Sequence, residues 1–290
     1  MGTSWHRLDR LLARDHPAVG DKGRTIVHLH EERRPRAIVL LHGMSSSPPQ
    51  FERFALELFS RGHNVLVPRL PRHGHADRLS PALAQLRPDD LYAAVDEYVA
   101  IARELGDRVT VAGFSLGGLL AAWSAQHYEL ERCVAIAPFF GVAWIPGALM
   151  PGLSEVLLRL PNRFHWWDPI LRERQMPAHG YPRYATHAIA HAYRISRGLL
   201  SEAATRGPSA ARVVLVTNAR EAAVDNRAIR RLYARWRARS PDAVELIALA
   251  GLPPSHDIVE PLRAGDLAAR AYSRLLAAID PRARDSESTS

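Results

Sequence analysis

A chain of 290 residues with 47% apolar side chains is long enough to bury a large core, as one α/β domain carrying an insertion or as two domains. No run approaches the roughly 18–20 apolar residues that cross a bilayer, and the charge-interrupted opening MGTSWHRLDRLLARDHPAVG does not read as a secretory signal, so a soluble, cytoplasmic protein is expected. The single cysteine, Cys133, excludes an internal disulfide, and the net charge of +8 is almost all arginine spread along the chain, with no nucleic-acid reader motif beside it.

In chain order, TIVHLH (25–30) and AIVLLHG (37–43) are strand-like, FERFALELFSRG (51–62) is an amphipathic helix, and NVLVP (64–68) is a further strand. DDLYAAVDEYVAIARELG (89–106) predicts a longer helix, capped by Asp89 and stopped by Gly106. VTVAG (109–113) is a strand, a helix follows Ser115, and CVAIAP (133–138) is a strand whose cysteine reads as a buried structural thiol. After a long interruption come RVVLVTN (212–218), the arginine-rich helix RAIRRLYARWRAR (227–239), AVELIAL (243–249) and a last helix from about Val259 to Ile279. Ile229, Leu232, Tyr233 and Trp236 give the arginine-rich helix an apolar stripe, which makes its arginines a solvated face and no nucleic-acid surface. The alternation predicts parallel strands with helices on both faces. The tail 281–290 has no core-forming pattern and reads as mobile.

The interruption, 139–211, is too long for an ordinary loop and is rich in aromatic residues and proline. It is expected to carry helices of its own and to form a lid over the carboxyl ends of the strands, where pockets in open α/β sheets lie. Trp144, Trp166 and Trp167 are candidates for the wall of an apolar substrate pocket; the small core of the lid itself is the other use for them. The remaining segments, 1–138 and 212–280, then form the α/β core.

Three turns carry candidate chemistry. In VTVAGFSLGGLL (109–120), Ser115 sits at a strand-to-helix turn inside G-x-S-x-G, where flanking glycines let the backbone turn sharply and present the hydroxyl. Helix N-cap is the alternative role for that serine. A serine that attacks a carbonyl needs donors for the developing negative oxygen, and the backbone N–H groups of Met44, in LLHGMSSSP (40–48), and of Leu116 are placed to supply them. His42, just before that turn, reads as an orienting residue beside the substrate site and not as a base. GLPPSHDIVEP (251–261) puts His256 between the last strand and the last helix, where an imidazole reaches back across the strand ends to the serine.

Together LHGMSSSP, VPRLPRHGHAD, GFSLGG, VTNAREAAVDN and SHDIVEP resemble the α/β-hydrolase superfamily, in particular its carboxylesterase and monoacylglycerol-lipase-like branch, also described as serine aminopeptidase-like hydrolases. The resemblance implies the α/β-hydrolase fold, a mostly parallel central sheet with helices on both faces and a helical lid inserted after the sixth strand. It also implies a nucleophile at Ser115, a base at His256, and oxyanion donors on the backbone of Met44 and Leu116. The third triad member departs from the pattern, because Glu221 occupies the position where the family commonly has aspartate; Asp225 is the alternative acid, with helix N-cap as its other role. The implied activity is hydrolysis of a small apolar acyl ester through an acyl-enzyme, with no metal and no other cofactor. A non-catalytic binding protein of the same fold stays open, as does an amidase or peptidase, for which Glu155, Glu173 and Glu202 are the carboxylates available to a substrate ammonium. The sequence carries no signal of oligomeric state.

Overall fold

The computed structural model describes residues 5–15, 19–260 and 266–281. Nine strands alternate with eight helices among these residues. The main-sheet strands are β1 (Ile26–His28), β2 (Arg34–Leu41), β3 (Asn64–Val67), β4 (Gly106–Phe114), β5 (Arg132–Ile136), β8 (Val213–Asn218) and β9 (Val244–Leu249). They form one seven-stranded sheet in the order β1-β3-β2-β4-β5-β8-β9. Every neighbouring pair is parallel except β1 with β3, where Ile26 lies opposite Val67. The inner strands read as continuous apolar runs because both faces are covered: Val39 pairs with Val111, and Val111 with Cys133, all fully buried.

The flanking helices are α1 (His6–Leu12), α2 (Glu52–Ser60), α3 (Pro88–Leu105), α4 (Leu116–His127), α7 (Asn226–Arg237) and α8 (Asp266–Ile279). The helix α3 begins one residue earlier than expected. Pro88 takes the first turn, where its missing N–H costs nothing, and Asp89 lies inside that turn instead of capping it. Gly106 both ends α3 and opens β4, so helix passes into strand without a loop. The helix α4 is apolar nearly all round and buried, because the sheet takes one side and α6 (Thr186–Glu202) the other. On α7 the buried residues are Ala228, Ile229, Leu232 and Trp236, and Trp236 Nε1 donates to Gln126 Oε1 at 2.6 Å. The proposed start of the last helix at Val259 does not hold, since 259 and 260 are not helical; 261–265 lie outside the described residues, as does 282–290 of the tail.

The insertion follows β5, which is the fifth strand of this chain and not the sixth. It is not purely helical: α5 (Met150–Arg159) and α6 are joined through an antiparallel pair, β6 (Phe164–Trp166) with β7 (Arg183–Ala185). The two helices pack on one another, and α6 rests on α4. Leu149, Leu153, Val156 and Leu160 recur at helical spacing along α5, and all are exposed. Among the described residues, Leu56 is the one strongly exposed large apolar side chain outside 144–171. No helix among them is long and apolar enough to cross a membrane.

Two buried groups show how the core handles polarity. Cys133 Sγ donates to Ala121 O at 3.0 Å, and burial pushes its thiol up, which keeps it protonated and inert. Near the start of β2, Asp280 accepts from Arg36 at 2.6 Å and Arg61 at 3.3 Å, with His63 Nε2 3.2 Å away. His63 does most to pull this carboxyl down, burial opposes it, and Arg61 and Arg36 add to the pull, leaving it at about 2 against an ordinary 3.8. A depressed carboxylate stabilises the fold above its unfolded pKa and loses that contribution as acid protonates the folded form. Asp280→Asn is therefore expected to lower stability at neutral pH by on the order of 1 kcal/mol after solvent screening. The same variant should flatten the acid loss between pH 3.8 and about 2, read from urea midpoints across that range.

Candidate active site

Ser115 sits where β4 ends and α4 begins, with φ +55° and ψ −111°, a conformation that side-chain-bearing residues avoid. It is imposed by close backbone packing. A Cβ on Gly117 would stand 2.0 Å from Leu41 O, and one on Gly113 would stand 2.2 Å from Gly117 O, so only glycine fits at either place. The strained residue is then clamped: its N–H donates to Ile136 O at 2.9 Å, and its carbonyl accepts from Phe139 N–H at 3.0 Å and Leu119 N–H at 2.9 Å. Its side chain makes no capping bond to α4.

The Ser115 hydroxyl instead lies 2.9 Å from His256 Nε2. His256 Nδ1 lies 3.0 Å from Glu221 Oε2. The Glu221 side chain is fully buried, and its other oxygen accepts from Ala223 N–H at 2.7 Å and Val224 N–H at 3.4 Å. Burial pushes this carboxyl up, but the His256 bond and charge and the two amides outweigh it, so the carboxyl rests below its ordinary value and faces the imidazole ionised. Of the two acid candidates the structure brings Glu221 to His256. Asp225 caps α7, its Oδ1 accepting from Arg227 N–H at 2.8 Å.

A residue that sequence reasoning missed joins these loops. Asn218, at the end of β8 and fully buried, donates through Nδ2 to Pro253 O at 2.8 Å and Ser255 O at 2.9 Å. Its Oδ1 accepts from Arg220 N–H at 3.0 Å. One side-chain amide thus ties the loop that carries Glu221 to the loop that carries His256. Phe114 was missed as well; its ring packs 4.8 Å from the His256 ring. Only a buried amide at a strand end hints at the first role, and nothing local hints at the second.

The turn after β2 is closed by Ser46 N–H donating to Gly43 O at 3.1 Å, with Ser45 at φ +65° in the position where type II turns favour glycine. The Gly43 carbonyl also accepts from His42 Nδ1 at 3.0 Å, while His42 Nε2 accepts Leu70 N–H at 3.1 Å. Burial, helped by the neighbouring His73, holds His42 well below its ordinary pKa, so the ring is neutral and carries its proton on Nδ1. Across a trans peptide the N–H points opposite the C=O. With Gly43 O drawn into the turn, Met44 N–H is turned outward, and Met44 lines the same cavity as Ser115 and Leu116. Leu116 is the first residue of α4, where an N–H has no acceptor within the helix. His42 itself is fully buried and does not line the cavity, so it touches the turn and not a substrate.

That cavity measures about 470 Å³. The core contributes Phe114 and Val224, and the insertion contributes Phe139, Val142, Trp144, Trp166, Trp167, Met176 and Tyr184. Trp144 stands at the rim, 77% exposed, and Trp167 packs on Tyr184 with ring centroids 4.3 Å apart. Asp257 is the one carboxylate among the lining residues, and its Oδ1 accepts from Val259 and Glu260 N–H groups. Glu155, Glu173 and Glu202 do not line it; Glu155 is bridged to Arg194 and Glu202 to Arg206. Two roomier clefts, of about 710 and 620 Å³, are lined partly by charged side chains and include neither Ser115 nor His256.

Residues 38–281 match the profile of the alpha/beta hydrolase family. This chain belongs to the alpha/beta hydrolase family. Within that family it is similar to a thermostable monoacylglycerol lipase of Bacillus sp. (strain H-257), 27% identical over 126 residues, which is 43% of this chain and 48% of the lipase. The match therefore spans about half of that curated relative. Among solved structures, the monoacylglycerol lipase of Paleococcus ferrophilus superposes with a TM-score of 0.65 at 20% identity, covering 88% of this chain and 98% of that one. A metagenome-derived lipolytic enzyme superposes with a TM-score of 0.65 at 17% identity, covering 89% and 98%. A soluble variant of Saccharomyces cerevisiae monoglyceride lipase, solved with a substrate analogue, gives 0.63 at 12% identity, covering 85% and 87%. At these identities the superpositions establish the fold this chain shares with them.

The packing at the serine turn leaves no room for a methyl group. Gly117→Ala puts a Cβ against the backbone oxygens of Leu41 and His42 at 2.0 and 2.6 Å, and neither oxygen is free to move without shifting β2. The expected loss of stability is at least about 2 kcal/mol, measured by urea unfolding; a wild-type midpoint would contradict this account of the turn.

Proposed function

We propose that this protein is a serine hydrolase that cleaves small apolar carboxylic esters through Ser115, His256 and Glu221 and an acyl-enzyme intermediate. The observation that carries the reading is the pair of contacts on His256, 2.9 Å to Ser115 Oγ and 3.0 Å to Glu221 Oε2. His256 takes the Ser115 proton as the oxygen attacks the acyl carbonyl. Glu221 keeps the imidazole oriented and stabilises its protonated form. The N–H groups of Met44 and Leu116 receive the oxyanion. Collapse expels the alcohol, which takes the proton from His256, and water activated by the same ring then releases the acid.

The substrate class follows from the cavity. Its aromatic walls suit an apolar acyl group, and the one carboxylate among its lining residues, Asp257, is buried with Oδ1 accepting from two backbone amides, which makes it a poor seat for a substrate ammonium. This favours an ester over the N-terminus of a peptide. The likeness to monoacylglycerol lipases points the same way. In this reading 139–211 is a lid on a core made of the preceding and following segments, with Trp144, Trp166 and Trp167 as substrate contacts.

The test is hydrolysis of p-nitrophenyl esters of increasing chain length beside aminoacyl anilides, together with labelling by a fluorophosphonate. Ester turnover that Ser115→Ala lowers by about three orders of magnitude or more is expected, along with labelling of wild type alone. Glu221→Gln should cost far more activity than Asp225→Asn, because an amide cannot stabilise the imidazolium. Full activity in a folded Ser115→Ala variant would remove the assignment, and the reverse order of the two acid variants would move the third role to Asp225.

A further inference from the structure

The insertion makes a set of contacts at 179–183 that a roof does not require. Tyr181 N–H donates to Ser45 O at 2.7 Å, and Ser45 Oγ donates to Arg183 O at 3.4 Å. Ser47 Oγ, fully buried, lies 3.2 Å from His179 Nδ1 and 3.0 Å from His179 O. On its other side the His179 ring faces the loop that carries His256, with Nε2 3.0 Å from Glu260 Oε2 and the two side chains 5% and 3% exposed. The segment is itself anchored, since Tyr181 OH accepts His75 N–H at 2.8 Å and Arg78 Nε donates to Gly180 O at 2.8 Å.

These contacts fall on a turn of the site that holds a disfavoured backbone shape of its own. Ser45 holds φ +65° although it carries a Cβ, so the turn on its own has better conformations available. What selects the observed one, beyond His42 and Gln50 from the core, is the 179–183 segment. We infer that 179–183 is a positioning strap that sets the Met44 turn and the His256 loop together, so that the insertion governs the rate of acyl transfer as well as the choice of acyl group. The inference rests on the esterase reading above for the role of Met44 N–H. His179 is a positioning residue in this scheme and touches no substrate.

A roof and a strap give different results with an acyl group too short to reach the roof. Steady-state hydrolysis of p-nitrophenyl acetate is compared in wild type, His179→Ala and His179→Asn. His179→Ala is expected to lower kcat roughly tenfold to a hundredfold, part of what loss of an oxyanion donor costs, with KM changed less than about threefold because uniform binding is untouched. His179→Asn keeps a polar atom near Ser47 and is expected to recover most of the rate. Ser47→Ala removes the same contact from the other side and carries the test if His179→Ala does not fold. Wild-type kcat in either folded alanine variant overturns the strap, as does a loss that appears only in KM or an asparagine variant no better than alanine. Fluorophosphonate labelling of wild type separates the two levels: an unlabelled wild type sinks the esterase reading, whereas a labelled, active wild type with an unaffected His179→Ala sinks the strap alone.

Discussion

The site depends on a serine held at φ +55° by backbones too close together to admit a methyl group. Three chain segments converge there: the end of β2 at Leu41, the end of β4 at Gly113, and the first turn of α4 at Gly117. Because the sheet is parallel, β2, β4, β8 and β9 deliver their carboxyl ends to the same edge. The distance from Ser115 to everything it meets is therefore set by strand register, and a slip of one residue would move every side chain of a strand to the opposite face of the sheet. The strain at Ser115 persists because Ile136 and Phe139, on the neighbouring strand and its exit, bind both ends of its peptide unit.

Loops are the soft part of such an arrangement, and here buried polar side chains stiffen them. His42 and Gln50 hold the two sides of Gly43, and Asn218 joins the loops after β8 and β9. All three side chains are buried, and those of His42 and Asn218 have every polar atom engaged, so each loop gains a fixed partner. The result is a constellation ordered before any substrate arrives, which is the condition for electrostatic stabilisation of a transition state.

The fold was legible because its signals are local and repeated. Apolar runs such as IVLL and CVAI mark strands buried on both faces, and the 3.6-residue stripe of α3 and α7 marks helices resting on them. Errors fell where two local signals compete. Asp89 is a good cap, but Pro88 beside it is a better first-turn residue, and the helix starts on the proline. The insertion carries two short strands whose three-residue length is below what periodicity detects. At the site, G-x-S-x-G and the histidine before the last helix are visible as patterns, whereas Glu221 and Asp225 are too near one another for spacing to separate. Their difference lies in direction: the Asp225 carboxylate turns to Arg227 N–H, and the Glu221 carboxylate turns to the ring. Asn218, Phe114 and His179 act on partners far away in sequence, and no local pattern encodes such contacts.

The lone cysteine has a practical consequence. Cys133 lies in the middle of the sheet, fully buried, with its thiol donating to Ala121 O and raised by burial. Thiol-directed reagents act on the thiolate, so this sulfur is protected from them in the folded protein. A second cysteine placed on the exposed face of α5, at Val156 for instance, would be the sole reactive thiol of the native chain. A nitroxide or fluorophore attached there would report on the insertion alone, with no need to remove the natural residue. The same buried thiol would become available to reagent only on unfolding, which makes the rate of its modification a clock for global opening of the sheet.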